Sequence, residues 1–130
     1  MAEKEETREN KACIAFGMKD PEKALAHMKT RLVKNYGDYA YGHYLHTWDE
    51  GERFLLKCEA CGGYVLVQKS EYHSFSDTGD SYYRDWFPVE SPEEADELNR
   101  KYDGFKIEQE FPGRYLMKTN GKLGWGWGKG

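Results

Sequence analysis

The chain has 130 residues, with 19 Lys or Arg against 23 Asp or Glu, for a formal net charge of −4. That balance argues against a general nucleic-acid coat protein, which is normally basic. Aromatic residues reach 15%, and rings of that size bury enough area to build a core, which excludes a disordered chain. No apolar run approaches the length of a membrane helix.

Residues 1–11 are almost all polar or charged and predict a flexible tail ahead of a single domain over 12–130. The opening MAEKEETREN lacks the apolar stretch of a secretory signal, and three cysteines is an odd count. Together they predict a cytoplasmic protein in a reducing compartment.

Ala12–Phe16 is a short apolar run that reads as a strand. Asp20-Pro21 is a helix start, and Leu25, Met28 and Leu32 then share one face, so a helix is expected to end near Asn35 or Gly37. The aromatic stretch Tyr39–Trp48 is strand-like, with Asp49-Glu50-Gly51 as a turn. Arg53–Lys57 and Gly63–Gln68 flank a cysteine loop as the two arms of a hairpin. Ser81–Val89 reads as another strand.

Ser91-Pro92-Glu93-Glu94 is a capping box with proline at the first helical position. Ala95, Leu98 and Tyr102 give the buried side of that helix, and Asp103-Gly104 ends it. Phe105–Phe111 alternates like a half-buried strand, and Arg114–Lys118 and Leu123–Trp127 pair across the hairpin signal Asn120-Gly121. The fold class expected is α+β: a mostly antiparallel sheet of five to seven strands, two helices and a zinc-knuckle-like hairpin.

The most chemical feature is Cys58-Glu-Ala-Cys61-Gly62-Gly63. Two cysteines three apart at a hairpin tip can aim both sulfurs at one tetrahedral ion, and glycine after the second lets the loop turn with positive φ. This is half of a zinc site. The preferred completion is His73 with one of Cys13 or His46. Asp77 and Asp80 are further oxygen donors. A thioredoxin-like role is disfavoured, because a β-rich run rather than a helix N-terminus follows the cysteines.

No GxSxG, Walker A or HExxH motif is present, and no acid–base pair is apparent, so an enzyme is not expected. The charge is uneven. Residues 77–97 carry eight acids and one arginine, whereas residues 98–130 carry seven bases and three acids. The acidic stretch predicts a protein partner with a basic surface, met through Tyr82, Tyr83 and Trp86 with Glu93, Glu94 and Glu97. A basic groove around Arg114, Lys118 and Lys122 would instead favour nucleic acid.

The segments CEACGGYVLVQKSEYH and DWFPVESPEEADELNRKYDG resemble small uncharacterised proteins of plasmids, prophages and integrative elements of low-GC Gram-positive bacteria. The resemblance spans roughly residues 40–118. It implies a mobile-element accessory protein of the kind that includes anti-CRISPR inhibitors. The functional expectation is therefore a non-enzymatic protein that blocks or regulates a macromolecular partner. The alternative is a zinc-ribbon-like nucleic-acid-binding or transcription-accessory module.

Overall fold

The structure, a computed structural model, describes residues 12–44, 47–74, 81–102 and 106–128. Among these residues six strands form one antiparallel sheet in sequence order: β1 (Thr30–Tyr44), β2 (Thr47–Cys58), β3 (Tyr64–Ser74), β4 (Ser81–Val89), β5 (Arg114–Thr119) and β6 (Lys122–Trp127). Three α-helices accompany it: α1 (Pro21–His27), α2 (Pro92–Lys101) and α3 (Lys106–Glu110). The fold is α+β, as expected. Among the described residues no helix is long and apolar enough to cross a membrane.

Strand alternation divides the core between the two faces of the sheet. Leu55, Leu66 and Phe87 stand opposite one another on β2, β3 and β4. They join Val89, Ala95, Leu98, Ile107, Phe111 and Tyr115 in one cluster, which α2 and α3 cover. Phe87 is fully buried, with ring centroids 5.1 Å from Phe111 and 4.8 Å from Tyr115. Burying a side chain of this size is worth about 1.5–3 kcal/mol.

On the reverse face, Phe54, Val67, Trp86, Leu116 and Trp125 form a row across five strands. The N-terminal segment and α1 pack over this row through Cys13, Ala15, Phe16, Ala24, Leu25 and Met28. Arg114 pins that segment down. Its Nη2 donates to the carbonyls of Phe16 and Met18, and its guanidinium lies 3.9 Å above the Trp125 ring.

Several local expectations are corrected. Ala12–Phe16 is not a strand: Ala12 makes a single parallel bridge to Tyr64, and Ile14–Gly17 is a 3-10 turn. The first helix keeps its start, where Asp20 accepts from the Glu22 N–H at 2.9 Å, but it stops at His27. Leu32 then lies in β1 and is 56% exposed, so its spacing from Leu25 was no helix face. Asp49-Glu50-Gly51 is not a turn but part of β2, with Gly51 opposite both Tyr39 and Ser70.

The stretch before Pro112 is also no strand. It forms α3, because Ile107 and Phe111 sit four apart and both reach the core, a helical as well as an alternating spacing. The cap at Ser91 forms as read. Ser91 Oγ accepts from the Glu94 N–H at 3.1 Å, while Glu94 reaches back to the Glu90 N–H at 2.5 Å. At the last hairpin Asn120 and Gly121 both have positive φ, 50° and 88°, the geometry such a two-residue turn demands.

Candidate metal centre

The β2–β3 connection is the knuckle. The Gly62 N–H donates to the Cys58 carbonyl at 2.6 Å and the Cys58 N–H to the Gly63 carbonyl at 2.7 Å, closing a tight loop. Gly62 has φ 78°, a conformation costly for any residue with a Cβ. Gly63 serves differently: the backbone of Ala12 and Cys13 crosses directly over it, leaving no room for a side chain. The Cys13 N–H donates to the Tyr64 carbonyl at 3.3 Å and holds the crossing in place.

A third element arrives at the same point. α1 ends at His27, and the chain turns into β1, whose first residue Thr30 is the register partner of Cys58. The Glu59 N–H donates to the Lys29 carbonyl at 2.7 Å, locking that turn to the knuckle. Cys13, His27, Cys58 and Cys61 are thus brought together, with one ligand atom of each within 4.8 Å of the others.

The donor chemistry fits a metal ion. Cys13 Sγ and Cys61 Sγ are 3.6 Å apart. Sulfurs on a tetrahedral ion with metal–sulfur bonds near 2.3 Å stand about 3.8 Å apart. Cys13 and Cys58 are buried and none of the three cysteines is in a disulfide. His27 Nε2 is buried and finds no hydrogen-bond partner, an orphan that a metal bond would satisfy.

The thiols differ electrostatically. Burial pushes the Cys58 thiol up, but the backbone N–H groups of Lys29, Cys61 and Ala60 outweigh it and leave its pKa below the ordinary value. Burial raises the Cys13 thiol well above its ordinary value, with the two neighbouring thiols adding to the rise. A metal ion would supply the positive charge that lets all three sulfurs ionise together.

Of the residues proposed from sequence, the structure brings Cys13, Cys58 and Cys61 together. His73 is elsewhere. It pairs with Trp48, nine residues along β3 from Tyr64, which puts its backbone about 30 Å from the knuckle. β3 continues through Ser70 and Glu71, so no chain reversal there returns His73 to the knuckle. His46, Asp77 and Asp80 lie outside the described residues. His27 was missed. Its signal was the β-prone run from Thr30 onward, which ends α1 early and leaves His27 at its last turn.

The residues expected from sequence to meet a partner do not share one surface. Trp86 is only 7% exposed and belongs to the core, so it cannot be an exposed anchor. Tyr82 is 52% exposed and shares the face of Trp86, while Tyr83 is half-buried and alternates to the other. Glu93, Glu94 and Glu97 are exposed on α2, across the sheet from Tyr82. Nor do Arg114, Lys118 and Lys122 line one groove. Arg114 is engaged by the N-terminal segment, and Lys118 and Lys122 alternate to opposite faces.

Comparison of the chain with protein-family models, with curated proteins and with solved structures finds no match.

Proposed function

We propose that the chain is a non-enzymatic binding domain whose fold is stapled by one structural zinc ion. The observation that carries this reading is the closed donor set: three thiols and one imidazole supply four ligands, which fill a tetrahedral shell and leave no position for a reacting water. The ion would join three pieces distant in sequence, namely the N-terminal segment, the end of α1 and the β2–β3 tip. Zinc chemistry of this kind supplies folding energy rather than catalysis.

Cobalt substitution tests it. One cobalt per chain, with the visible spectrum of a tetrahedral thiolate site that added azide or thiocyanate leaves unchanged, is the expected result. A spectrum that shifts with those anions would mean an open, catalytic position. No metal uptake by a folded chain would remove the staple altogether.

In the inhibitor form of this reading, the domain blocks a basic effector, as the resemblance to mobile-element proteins implies. Its support is the exposed carboxylates Glu93 and Glu97 on the outer side of α2. Salt-sensitive association lost in Glu93→Gln/Glu97→Gln, with zinc content unchanged, would be its signature.

A further inference from the structure

The N-terminal segment and α1 cover only part of their face of the sheet. Two residues along from the covered row, the register aligns Lys69 on β3, Arg84 on β4 and Lys118 on β5 as successive partners. Directly opposite residues share a face, and neighbouring strands lie about 4.8 Å apart, so three cations stand within about 10 Å. Arg84 and Lys118 are exposed and Lys69 is half-buried.

Among the described residues none of the three forms an ion pair. Their contacts are with rings instead: Lys69 Nζ lies 5.7 Å from the Phe54 centroid and Arg84 Cζ 6.0 Å from that of Trp86. Like charges set opposite one another destabilise a sheet, so the row costs stability until an anion lies across it. Of the described carboxylates on this face, Glu52 stands opposite Lys69 and Glu71 opposite Tyr82, which leaves the positive field strongest over Arg84 and Lys118 on β4 and β5. Tyr82, two residues from Arg84 on the same side, offers a ring that is 52% exposed.

We propose that this face binds single-stranded nucleic acid, with phosphates lying along Lys69, Arg84 and Lys118 and a base stacked on Tyr82. A line of cations beside an exposed ring is the combination that holds single strands without sequence readout. The row crosses strands inside the six-stranded sheet and does not lie on a helix or a two-stranded ribbon, the elements that enter a duplex groove. An acidic peptide would meet the same cations but has no base to stack. The inference deepens the binding-domain reading and rests on it.

The test is fluorescence anisotropy of the zinc-loaded full chain with labelled single-stranded DNA and RNA of about 16 nucleotides. Saturable binding should weaken steeply between about 50 and about 200 mM salt. Arg84→Gln/Lys118→Gln should weaken it at least tenfold and lower the salt slope by about 1.4, at about 0.7 per phosphate contact. Tyr82→Ala should weaken it about 5- to 100-fold with the slope unchanged, and Tyr82→Phe should restore it. Glu93→Gln/Glu97→Gln, on the other side of the molecule, should leave it unaltered.

Absence of saturable binding at low salt, tighter binding to duplex, or binding to polyglutamate that matches the oligonucleotide and ignores Tyr82→Ala would each overturn the proposal. Metal content is measured on every sample. One zinc per chain without nucleic-acid binding sinks this inference alone. Nucleic-acid binding by a folded, metal-free chain sinks the zinc staple alone.

Discussion

Cys13 passes directly over Gly63, so close that a methyl group on Gly63 would overlap the backbone of Ala12 and Cys13. The knuckle and the N-terminal segment are therefore one packed unit, and the absence of a side chain at a single position brings the third thiol to the other two.

Gly63→Ala should consequently do more damage than Gly62→Ala. The second change meets open space and costs the strain of positive φ, about 1–2 kcal/mol. The first must lift the N-terminal segment and separate Cys13 from Cys61, so it should lose both stability and metal affinity. Denaturant unfolding paired with a zinc-competition titration distinguishes the two. Equal losses would mean that the crossing is not needed to form the site.

Removing the metal should loosen the same unit. At free zinc about a thousandfold above Kd, a bound ion adds about 4 kcal/mol to stability, and chelation should take that away as a fall in Tm. His27→Ala should reduce zinc affinity sharply, whereas His73→Ala should leave it within about twofold, given the distance along β3. The reverse order in a chelator competition would return His73 to the ligand set.

The buried carboxyl of Asp85 predicts a stability that falls with rising pH. Asp85 is fully buried on the α2–α3 side of the sheet, and no hydrogen bond satisfies its oxygens. Burial, with the Glu108 carboxyl beside it, pushes its pKa up to about 10. Burial raises Glu108 as well. Between the unfolded value near 3.8 and the folded value near 10, the native state keeps a proton that the unfolded chain has released. Stability is then greatest at the acidic end of that window and declines through it, by up to about 1.4 kcal/mol per pH unit. Asp85→Asn should flatten this slope and be the more stable protein at neutral pH. Urea unfolding at about pH 5, 7 and 9 checks it, and an unchanged slope in the variant would assign the pH dependence to other groups.

Two changes in and before α2 separate its cap from its packing. Ser91→Ala removes the bond to the Glu94 N–H and should cost about 1 kcal/mol. Leu98 is 8% exposed within the main core cluster, so Leu98→Ala should cost about 2–5 kcal/mol. Thermal unfolding of both variants, alone and combined, would show whether the two losses add.

Much of the architecture was legible because its signals are local. The Ser91 cap, the Asn120-Gly121 turn, the strand Ser81–Val89 and the cysteine hairpin each depend on backbone preferences and hydrogen bonds within a few residues. Those preferences act the same way whatever packs around them. The residues around Phe111 were not legible for the opposite reason. Ile107 and Phe111 suit a strand or a helix equally well, and only the space beside Phe87 and Tyr115 selected the helix.

The candidate metal centre divides in the same way. Cys58 and Cys61 were readable as a pair, since a knuckle is a local turn with two sulfurs at its tip. The other two donors come from segments 31 and 45 residues upstream of Cys58, and their arrival depends on where α1 stops and where the chain crosses Gly63. The acidic stretch 77–97 was a single feature in the sequence and became two in space. Strand alternation turned Tyr82 to one face of the sheet, and the helix that carries Glu93 and Glu97 packed on the other. The amino-acid order determined which residues carry charge, rings and thiols. Their company on a surface or around an ion was decided by strand register and long-range packing, because contacts between distant segments leave no period in the sequence.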